Sequence, residues 1–302
     1  MIKNAIKKKI IIYAMTLLIL LIIYLIPVNK EYEENITINK NINYVYLLKQ
    51  DKLVRVDVIS NEKDILNKVK EVIESLKINS KTNNYLNKDL KPIIPQNTKI
   101  LDLSLEDNLL KINFSKELLN ISKALEEKLI ESIVYSLTEI DGIDNIMIFI
   151  EGKSLLKLPN SNKNLPILLN RNYGINKVYD LTTLNDTSKI TIYYFTNIDN
   201  KYNAVPVTMF LNNSEEKIEV IIKNLKSSSI YQTDLVSFLS NNIKLLDYEI
   251  KENKVKLNFN QALLDNFYNE EVLEEVKYAI SSSIKDSLNI KEVIFNVNDK
   301  EI

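Results

Sequence analysis

Two short stretches of the sequence, KINFSKELLN (Lys111–Asn120) and KLNFNQALLD (Lys256–Asp265), are nearly the same phrase. In each, apolar residues alternate with Lys and Asn before a polar residue, Ser115 or Asn260, of a type that commonly begins a helix. The alternation predicts a strand with one buried face, followed by a junction into a helix. The repetition predicts that the chain contains one folding unit twice.

The match extends well beyond this phrase. Thr98–Asn120 aligns with Ile243–Asp265 without a gap, and apolar helix positions on both sides keep their register. Each unit has the predicted element order ββαββαβ. We therefore predict an α+β fold in which two amphipathic helices of each unit pack on a mainly antiparallel sheet. A solenoid is the alternative, but two units of this size fit tandem domains better.

The predicted domains are residues 42–156 and 189–302. Between them, residues 157–188 are rich in Pro and Asn and lack a strong period, which is typical of a linker. Four apolar residues of this stretch are too hydrophobic for a fully solvated chain, so we expect a semi-rigid connection that lies against a domain. They are Leu165, Ile167, Leu168 and Leu169.

Composition excludes several classes of function. The chain has 302 residues, a net charge of −1, no Cys, no His and 3 Gly. Without Cys and His there is no disulfide, no thiolate or imidazole metal ligand and no His-based catalytic triad. Scarce glycine argues against phosphate-binding loops, and balanced charge argues against nucleic acid as a partner. We expect no cofactor, no metal site and no enzymatic activity.

The N-terminus predicts a membrane anchor. Residues 10–28 are uncharged and rich in Ile and Leu, follow a Lys-bearing stretch at 1–9 and precede an acidic tether at 29–41. The length and the charge asymmetry predict one span of the cell membrane with a cytoplasmic N-terminus and an extracytoplasmic body. A cleaved signal peptide or a buried core helix is the alternative. Representative anchor residues in contact with the lipid bilayer are Ile10, Leu17, Leu21 and Ile26.

Two sets of residues are candidates for an interface. Tyrosines on the first strands of the two units are of a type enriched at interfaces, although a half-buried position in a sheet is the simpler interpretation. The second set points outward from the repeated strand. The candidates are Tyr44, Tyr46, Tyr193 and Tyr194, and Lys111, Asn113, Lys256 and Asn258. The loops where the units differ, around Ser75–Pro95 and Lys226–Asn242, are further candidate surfaces.

Four stretches resemble the GerM family, whose members carry the GerMN domain in tandem. They are LVRV (Leu53–Val56) together with the repeated KINFSKELL phrase, VYSLTEIDGIDNIMIFIEG (Val134–Gly152), and NYGINKVYDL (Asn172–Leu181) before the second hairpin. The second repeat departs from the family phrase SLTE and reads SSIK (Ser282–Lys285). The anchor also differs, because without Cys the chain resembles a signal-anchored form rather than a lipoprotein.

The resemblance implies a fold similar to the ring-building motifs of secretion systems. It also implies a structural protein of sporulation or germination that self-associates, or docks with protein partners, in an assembly between the mother cell and the forespore. The alternative is an extracytoplasmic binding module for cell wall glycan or an envelope protein outside sporulation.

Overall fold

The computed structural model describes residues 15, 17, 41–80, 86–183, 185–212, 215–226, 234–264 and 273–302. The chain forms two compact units, Met1–Lys40 and Asn41–Ile302. Among the described residues, no helix is long and apolar enough to cross a membrane. The predicted anchor, with Ile10, Leu21 and Ile26, lies outside the described residues. Within it, Met15 and Leu17 are described, and both are helical and exposed.

The first repeat contains the predicted elements and two additional short strands. In chain order they are β1 (Asn41–Lys49), β2 (Lys52–Ser60), α1 (Ile65–Ser75), β3 (Leu90–Lys91), β4 (Ile100–Glu106), β5 (Leu109–Phe114), α2 (Glu126–Leu137), β6 (Asn145–Ile150) and β7 (Lys153–Ser154).

The second repeat has the same order, except that no counterpart of β3 occurs among its described residues, and it is preceded by a short strand from the linker. Its elements are β8 (Val178–Asp180), β9 (Thr187–Ile198), β10 (Lys201–Asn212), α3 (Lys217–Lys226), β11 (Leu245–Lys251), β12 (Lys254–Phe259), α4 (Glu274–Leu288), β13 (Glu292–Val297) and β14 (Lys300–Glu301). Apolar residues of both repeats join in one continuous hydrophobic core.

Each repeat has two small sheets, so the prediction of a single sheet was wrong, although most strand pairs are antiparallel as predicted. The hairpins form three-stranded sheets in the orders β2-β1-β3 and β8-β10-β9, and the remaining strands form four-stranded sheets in the orders β4-β5-β6-β7 and β11-β12-β13-β14. In the latter, β5 pairs parallel with β6, and β12 with β13. The reason is that α2 and α4 are crossover helices, and a crossover returns the chain in the parallel direction.

The repeated phrase ends differently from its prediction. Ser115 precedes a 3-10 turn at Lys116–Leu119, and α2 begins only at Glu126. The Ser115 hydroxyl instead accepts a hydrogen bond from the backbone N–H of Lys99 at 3.0 Å. Asn260 does the same for Lys244 at 2.8 Å. These side chains therefore tie the start of one strand to the end of the next rather than cap an α-helix.

The linker region takes part in the fold. β8 pairs parallel with β10, which makes residues 178–180 part of the second hairpin's sheet. Leu165 and Leu169 are buried, whereas Ile167 and Leu168 are exposed. The connection therefore packs against the repeats through two of its four flagged apolar side chains.

Tight turns in this chain rely on Asn and Asp in place of glycine. The β4–β5 turn uses Asp107 and Asn108, both with positive φ, and the β9–β10 turn uses Asp199 and Asn200 in the same way. Two-residue hairpin turns of type I′ need positive φ at both positions, and Asn and Asp tolerate it better than other side chains. A chain with 3 Gly can therefore still build many hairpins.

Serines on the crossover helices form hydrogen bonds with backbone groups at the outer edges of the hairpins. Ser136 of α2 accepts the backbone N–H of Tyr46 at 2.8 Å, and Ser132 donates to the Tyr46 carbonyl at 2.7 Å. In the second repeat, Ser283 of α4 accepts the N–H of Tyr193 at 2.9 Å. An unpaired strand edge invites aggregation, and these small polar residues close it from within the core.

Replacing Ser283 by Ala should therefore destabilise the fold. The N–H of Tyr193 would lose its acceptor in a dry environment, which costs about 1–3 kcal/mol of unfolding free energy. Urea denaturation followed by circular dichroism measures the effect. Ser281→Ala, on the half-buried flank of the same helix, is the matched control and should change stability by less than about 0.5 kcal/mol. Equal effects of the two substitutions would contradict the assigned role.

Candidate functional site

The two repeats are joined by residues 171–177 (RNYGINK), here called the strap. The strap follows the buried Leu169 and precedes β8, and its residues Ile175 and Asn176 are buried. Its side chains contact the hairpins and crossover helices of both repeats. The strap is therefore the element that fixes one repeat against the other.

Arg171 connects two equivalent carboxylates, one from each repeat. Its Nη2 lies 2.7 Å from Oε1 of Glu139, which follows α2, and its Nη1 lies 3.2 Å from Oδ2 of Asp286 in α4. Each carboxylate also accepts a tyrosine hydroxyl from its own hairpin. Tyr46 donates to Glu139 at 2.8 Å and Tyr193 donates to Asp286 at 2.6 Å. One guanidinium thus pairs with the carboxylates of two equivalent tyrosine–acid pairs.

A second arginine completes the network on one side only. Arg55 of β2 lies 3.1 Å from Oε2 of Glu139, and its guanidinium stacks 3.3 Å from the centre of the Tyr44 ring. The chain contains only these two arginines among 39 basic residues. A planar fork that can bind two carboxylates is a property of Arg and not of Lys. This rarity is a signal in the sequence, but neither arginine is among the predicted site residues.

The charge network shifts the ionisation of its members. Burial disfavours the ionised form of Glu139, but Arg171 and Arg55 outweigh it and hold the pKa of Glu139 below its usual value. Burial, with the Glu139 charge beside it, raises the pKa of Tyr46 well above that of a free tyrosine. Burial and Asp286 do the same to the pKa of Tyr193. At neutral pH the Glu139 carboxylate is therefore charged, and the phenols of Tyr46 and Tyr193 are donors.

Asn176 connects the two hairpins directly. Its amide nitrogen donates to the carbonyls of Leu53 in β2 at 2.8 Å and of Pro206 in β10 at 2.9 Å. Its amide oxygen accepts the backbone N–H of Leu53 at 2.8 Å. The residue has a φ of 47°, a conformation that Asn tolerates. One buried side chain thus substitutes for backbone pairing between β2 and β10.

Acidic residues of α2 hold the strap from its other side. Glu131 accepts the backbone N–H of Asn176 at 3.0 Å and lies 3.5 Å from both Lys128 and Lys177. Lys177 also pairs with Glu127 at 2.8 Å. Burial raises the pKa of Glu131 despite these two lysines. The desolvation of this carboxylate is therefore a cost that its contacts only partly offset.

Gly174 allows the strap to approach β10 closely. Its φ is 80°, and a Cβ built there would lie 3.0 Å from a side-chain atom of Thr208. The Thr208 hydroxyl accepts the N–H of Ile175 at 2.9 Å. Any other residue would push the strap off this contact. The NYGINK sequence is thus explained by close packing between the repeats.

The tyrosines that the sequence offers as interface candidates are buried or half-buried in the fold. Tyr46, Tyr193 and Tyr194 are fully buried, and Tyr44 is half-buried against Arg55. Tyr46 and Tyr193 meet across the strap through Arg171, whereas Tyr194 packs within the second repeat. That any of them contacts another molecule stays a prediction.

The outward strand residues have distinct surroundings. Asn113 accepts the N–H of Gly152 at 3.0 Å, and the equivalent Asn258 accepts the N–H of Asp299 at 3.0 Å, so both asparagines hold the turn after a neighbouring strand. Asn258 is buried. Lys111 pairs weakly with Glu106 at 3.5 Å, and Lys256 is exposed. The two lysines are the accessible part of this predicted set.

The second repeat preserves the SLTE phrase better than the sequence comparison indicated. Ser283 and Asp286 make the contacts that Ser136 and Glu139 make in the first repeat. The equivalent phrase is therefore SIKD, one residue beyond the SSIK that was compared. The serine and the acid are both retained, because the serine bonds to the hairpin edge and the acid pairs with the arginine of the strap.

Groups of three or more Asp and Glu side chains with metal-binding proximity do not occur in the described part of the chain. The charged groups around Arg171 pair with one another. Arg171 and Asn176, with the groups that they contact in both repeats, hold the repeats in one relative orientation and are here called the joint.

Two copies of one α+β domain, locked by a strap, define a tandem-domain protein. The family model described as "Germane: Sporulation and spore germination" matches residues 44–156 and 191–302. The chain therefore belongs to this family, the GerM family of tandem GerMN domains.

Known relatives agree with this assignment. The chain is 27% identical over 237 residues to the spore germination protein GerM of Bacillus subtilis (strain 168), a match that covers 76% of this chain and 64% of that protein. The solved tandem GerMN domains of the sporulation protein GerM from Bacillus subtilis superpose with a TM-score of 0.75 at 24% identity, covering 86% of this chain and 91% of that one. The fold is therefore shared.

Replacing Asn176 by Ala should weaken the joint. The expected loss of unfolding free energy is larger than a change in helix or strand propensity would cause. The buried N–H and carbonyls of β2 and β10 would lose their partner, at about 2–4 kcal/mol of unfolding free energy. Guanidinium denaturation measures it. Asn162→Ala is the matched control, because Asn162 also has positive φ, at 59°, but is exposed. Similar losses in both variants would show that backbone strain, and not the bridge, sets the cost.

Stability should fall on acidification partly through Glu139. Its folded pKa is below the unfolded value of about 4.3, so its contribution is complete above that pH and is lost as pH falls through the folded pKa. Denaturation midpoints between about pH 6 and 3 measure the slope. Glu139→Gln should flatten it, whereas Glu301→Gln at an exposed site should not. An unchanged slope in Glu139→Gln would contradict this role.

Proposed function

We propose that the chain is a membrane-anchored, extracytoplasmic structural protein that self-associates, or docks with protein partners, in a trans-envelope assembly of sporulation or germination. The observation that supports this proposal most directly is the fixed orientation that the joint gives to the two repeats. Membership in the sporulation and spore germination family and the name of the Bacillus subtilis relative support the biological process. The apolar, uncharged residues 10–28 support the anchor.

A rigid joint is what a building block of a closed assembly needs. Head-to-tail contacts between identical copies close into a ring only when each copy imposes a fixed rotation on the next. Two flexibly linked domains would spread that rotation over many values. Arg171 and Asn176 remove this freedom, since each contacts both repeats through buried groups. The proposal assigns the repeats a positioning role and no catalytic step, cofactor or nucleic acid.

The test compares the full chain with a variant whose joint is loosened. Full-length protein reconstituted in lipid nanodiscs or uncharged detergent should form discrete oligomers in sedimentation velocity and electron microscopy. Arg171→Met should abolish them while circular dichroism still reports folded repeats, because two carboxylates lose their shared partner. Lys285→Met, at an exposed position beside the joint, is the control.

Two outcomes would overturn the proposal. One is a monomer at every concentration, both alone and with envelope membranes from sporulating source cells. The other is retention on purified peptidoglycan without self-association, which would indicate a wall-binding module. In cells, deletion of the gene should impair spore development or germination, and Arg171→Met should reproduce that defect.

A further inference from the structure

The second repeat has a groove between α3 and β11. The groove is open and has a volume of about 1000 Å³. Its floor includes the buried Ile222 of α3 and the side chains of Leu245 and Leu246 at the start of β11, and Leu246 is 52% exposed. The described lining therefore combines apolar surface with one strand edge.

Three lysines and two acids line this groove, and one of the lysines, Lys223, already pairs with Glu215 at 3.1 Å. Lys223, Lys226 and Lys244 line it, and Lys226 and Lys244 form no ion pair among the described residues. Burial and the nearby Lys244 lower the pKa of Lys226, so the two cations repel each other in the empty groove. Two acids also line it, Glu219 and Asp247, and Asp247 already accepts the amide of Asn258 at 3.4 Å.

At the equivalent surface of the first repeat, one of the two corresponding lysines is neutralised. Lys77, the counterpart of Lys226, pairs with Glu74 at 2.8 Å, and Ser80 donates to the same carboxylate at 3.0 Å. The chain after α1 then folds back, with the N–H of Ile78 bonded to the carbonyl of Ile94 at 2.9 Å. In the second repeat, Lys223 stands at the position of Glu74, and this neutralisation is absent from the described residues.

The strand at the groove's edge is unpaired on one side. β11 is the edge strand of its sheet and pairs only with β12 within the part of the chain that the structure describes. Alternate residues of an antiparallel edge strand direct their N–H and C=O groups away from the partner strand. Leu246 and Ile250 of this strand are exposed, at 52% and 46%. An added strand would gain both backbone hydrogen bonds and apolar contacts.

We propose that the groove between α3 and β11 is a docking site for an acidic, extended polypeptide segment of another protein, which adds as a strand to β11. Carboxylates on such a segment neutralise Lys226 and Lys244, and its apolar side chains cover Leu246 and Ile250. A phosphate-bearing lipid or glycan would use the lysines but neither the strand edge nor the apolar floor. This site goes beyond the self-association proposed above and does not depend on it.

Fluorescence anisotropy on the full chain in uncharged detergent tests the site. The probe is a fluorescein-labelled peptide of about ten residues with alternating Glu and Val, a length that spans the strand. We expect it to bind, and the Lys–Val peptide of the same length not to bind. The Glu–Val peptide N-methylated at alternate residues keeps its charge but cannot pair with a strand edge, and it should bind at least about tenfold more weakly.

Matched variants locate the binding. Lys226→Glu combined with Lys244→Glu should weaken binding at least about tenfold, and circular dichroism should show an unchanged fold. Lys99→Glu, at the first-repeat counterpart of Lys244, should leave binding unchanged. Equal binding of the N-methylated peptide, full binding to the double variant, or complete displacement by phosphatidylglycerol vesicles would each overturn the proposal. None of these results depends on whether the chain forms oligomers.

Discussion

The geometry of the tandem unit depends on one guanidinium shared between two carboxylates. Arg171 lies between Glu139 and Asp286, and each acid is also held by a tyrosine of its own repeat. Burying these charges is costly, and only a planar, multiply hydrogen-bonding cation offsets the cost for both acids at once. Stability could be obtained more simply with apolar residues. A fixed orientation between two similar surfaces is harder to specify that way, since apolar contacts are non-directional.

Duplication explains why one residue can serve both repeats. The Tyr46–Glu139 pair and the Tyr193–Asp286 pair occupy equivalent positions, as do Ser136 and Ser283 beneath the hairpin edges. The strap passes between the two acids, so its single arginine can pair with both of them. The outer grooves did not stay equivalent. There Lys77 of the first repeat is paired with Glu74, whereas its counterpart Lys226 forms no ion pair among the described residues.

Much of the fold was predictable because burial imposes a period. The alternation of Leu110, Ile112 and Phe114 and the helical spacing of Val69, Val72 and Ile73 correspond to buried faces in the structure. The separate sheets were not predictable from these periods, since a strand pattern does not say which strand is its neighbour. The prediction that Ser115 begins an α-helix was wrong for a related reason. A polar residue after a strand can cap a helix or bond a neighbouring strand, and only the position of Lys99 decides between them.

The sequence by itself determined the duplication, the order of helices and strands, the family and the exclusion of Cys- and His-based chemistry. These follow from residue types and their periodicity, which are local properties of the chain. The tertiary structure alone decided the joint, because Arg55, Glu139, Arg171 and Asp286 are brought together from distant parts of the sequence. It also decided that KINFSKELLN and KLNFNQALLD belong to the scaffold, while the groove beside the second copy stays open.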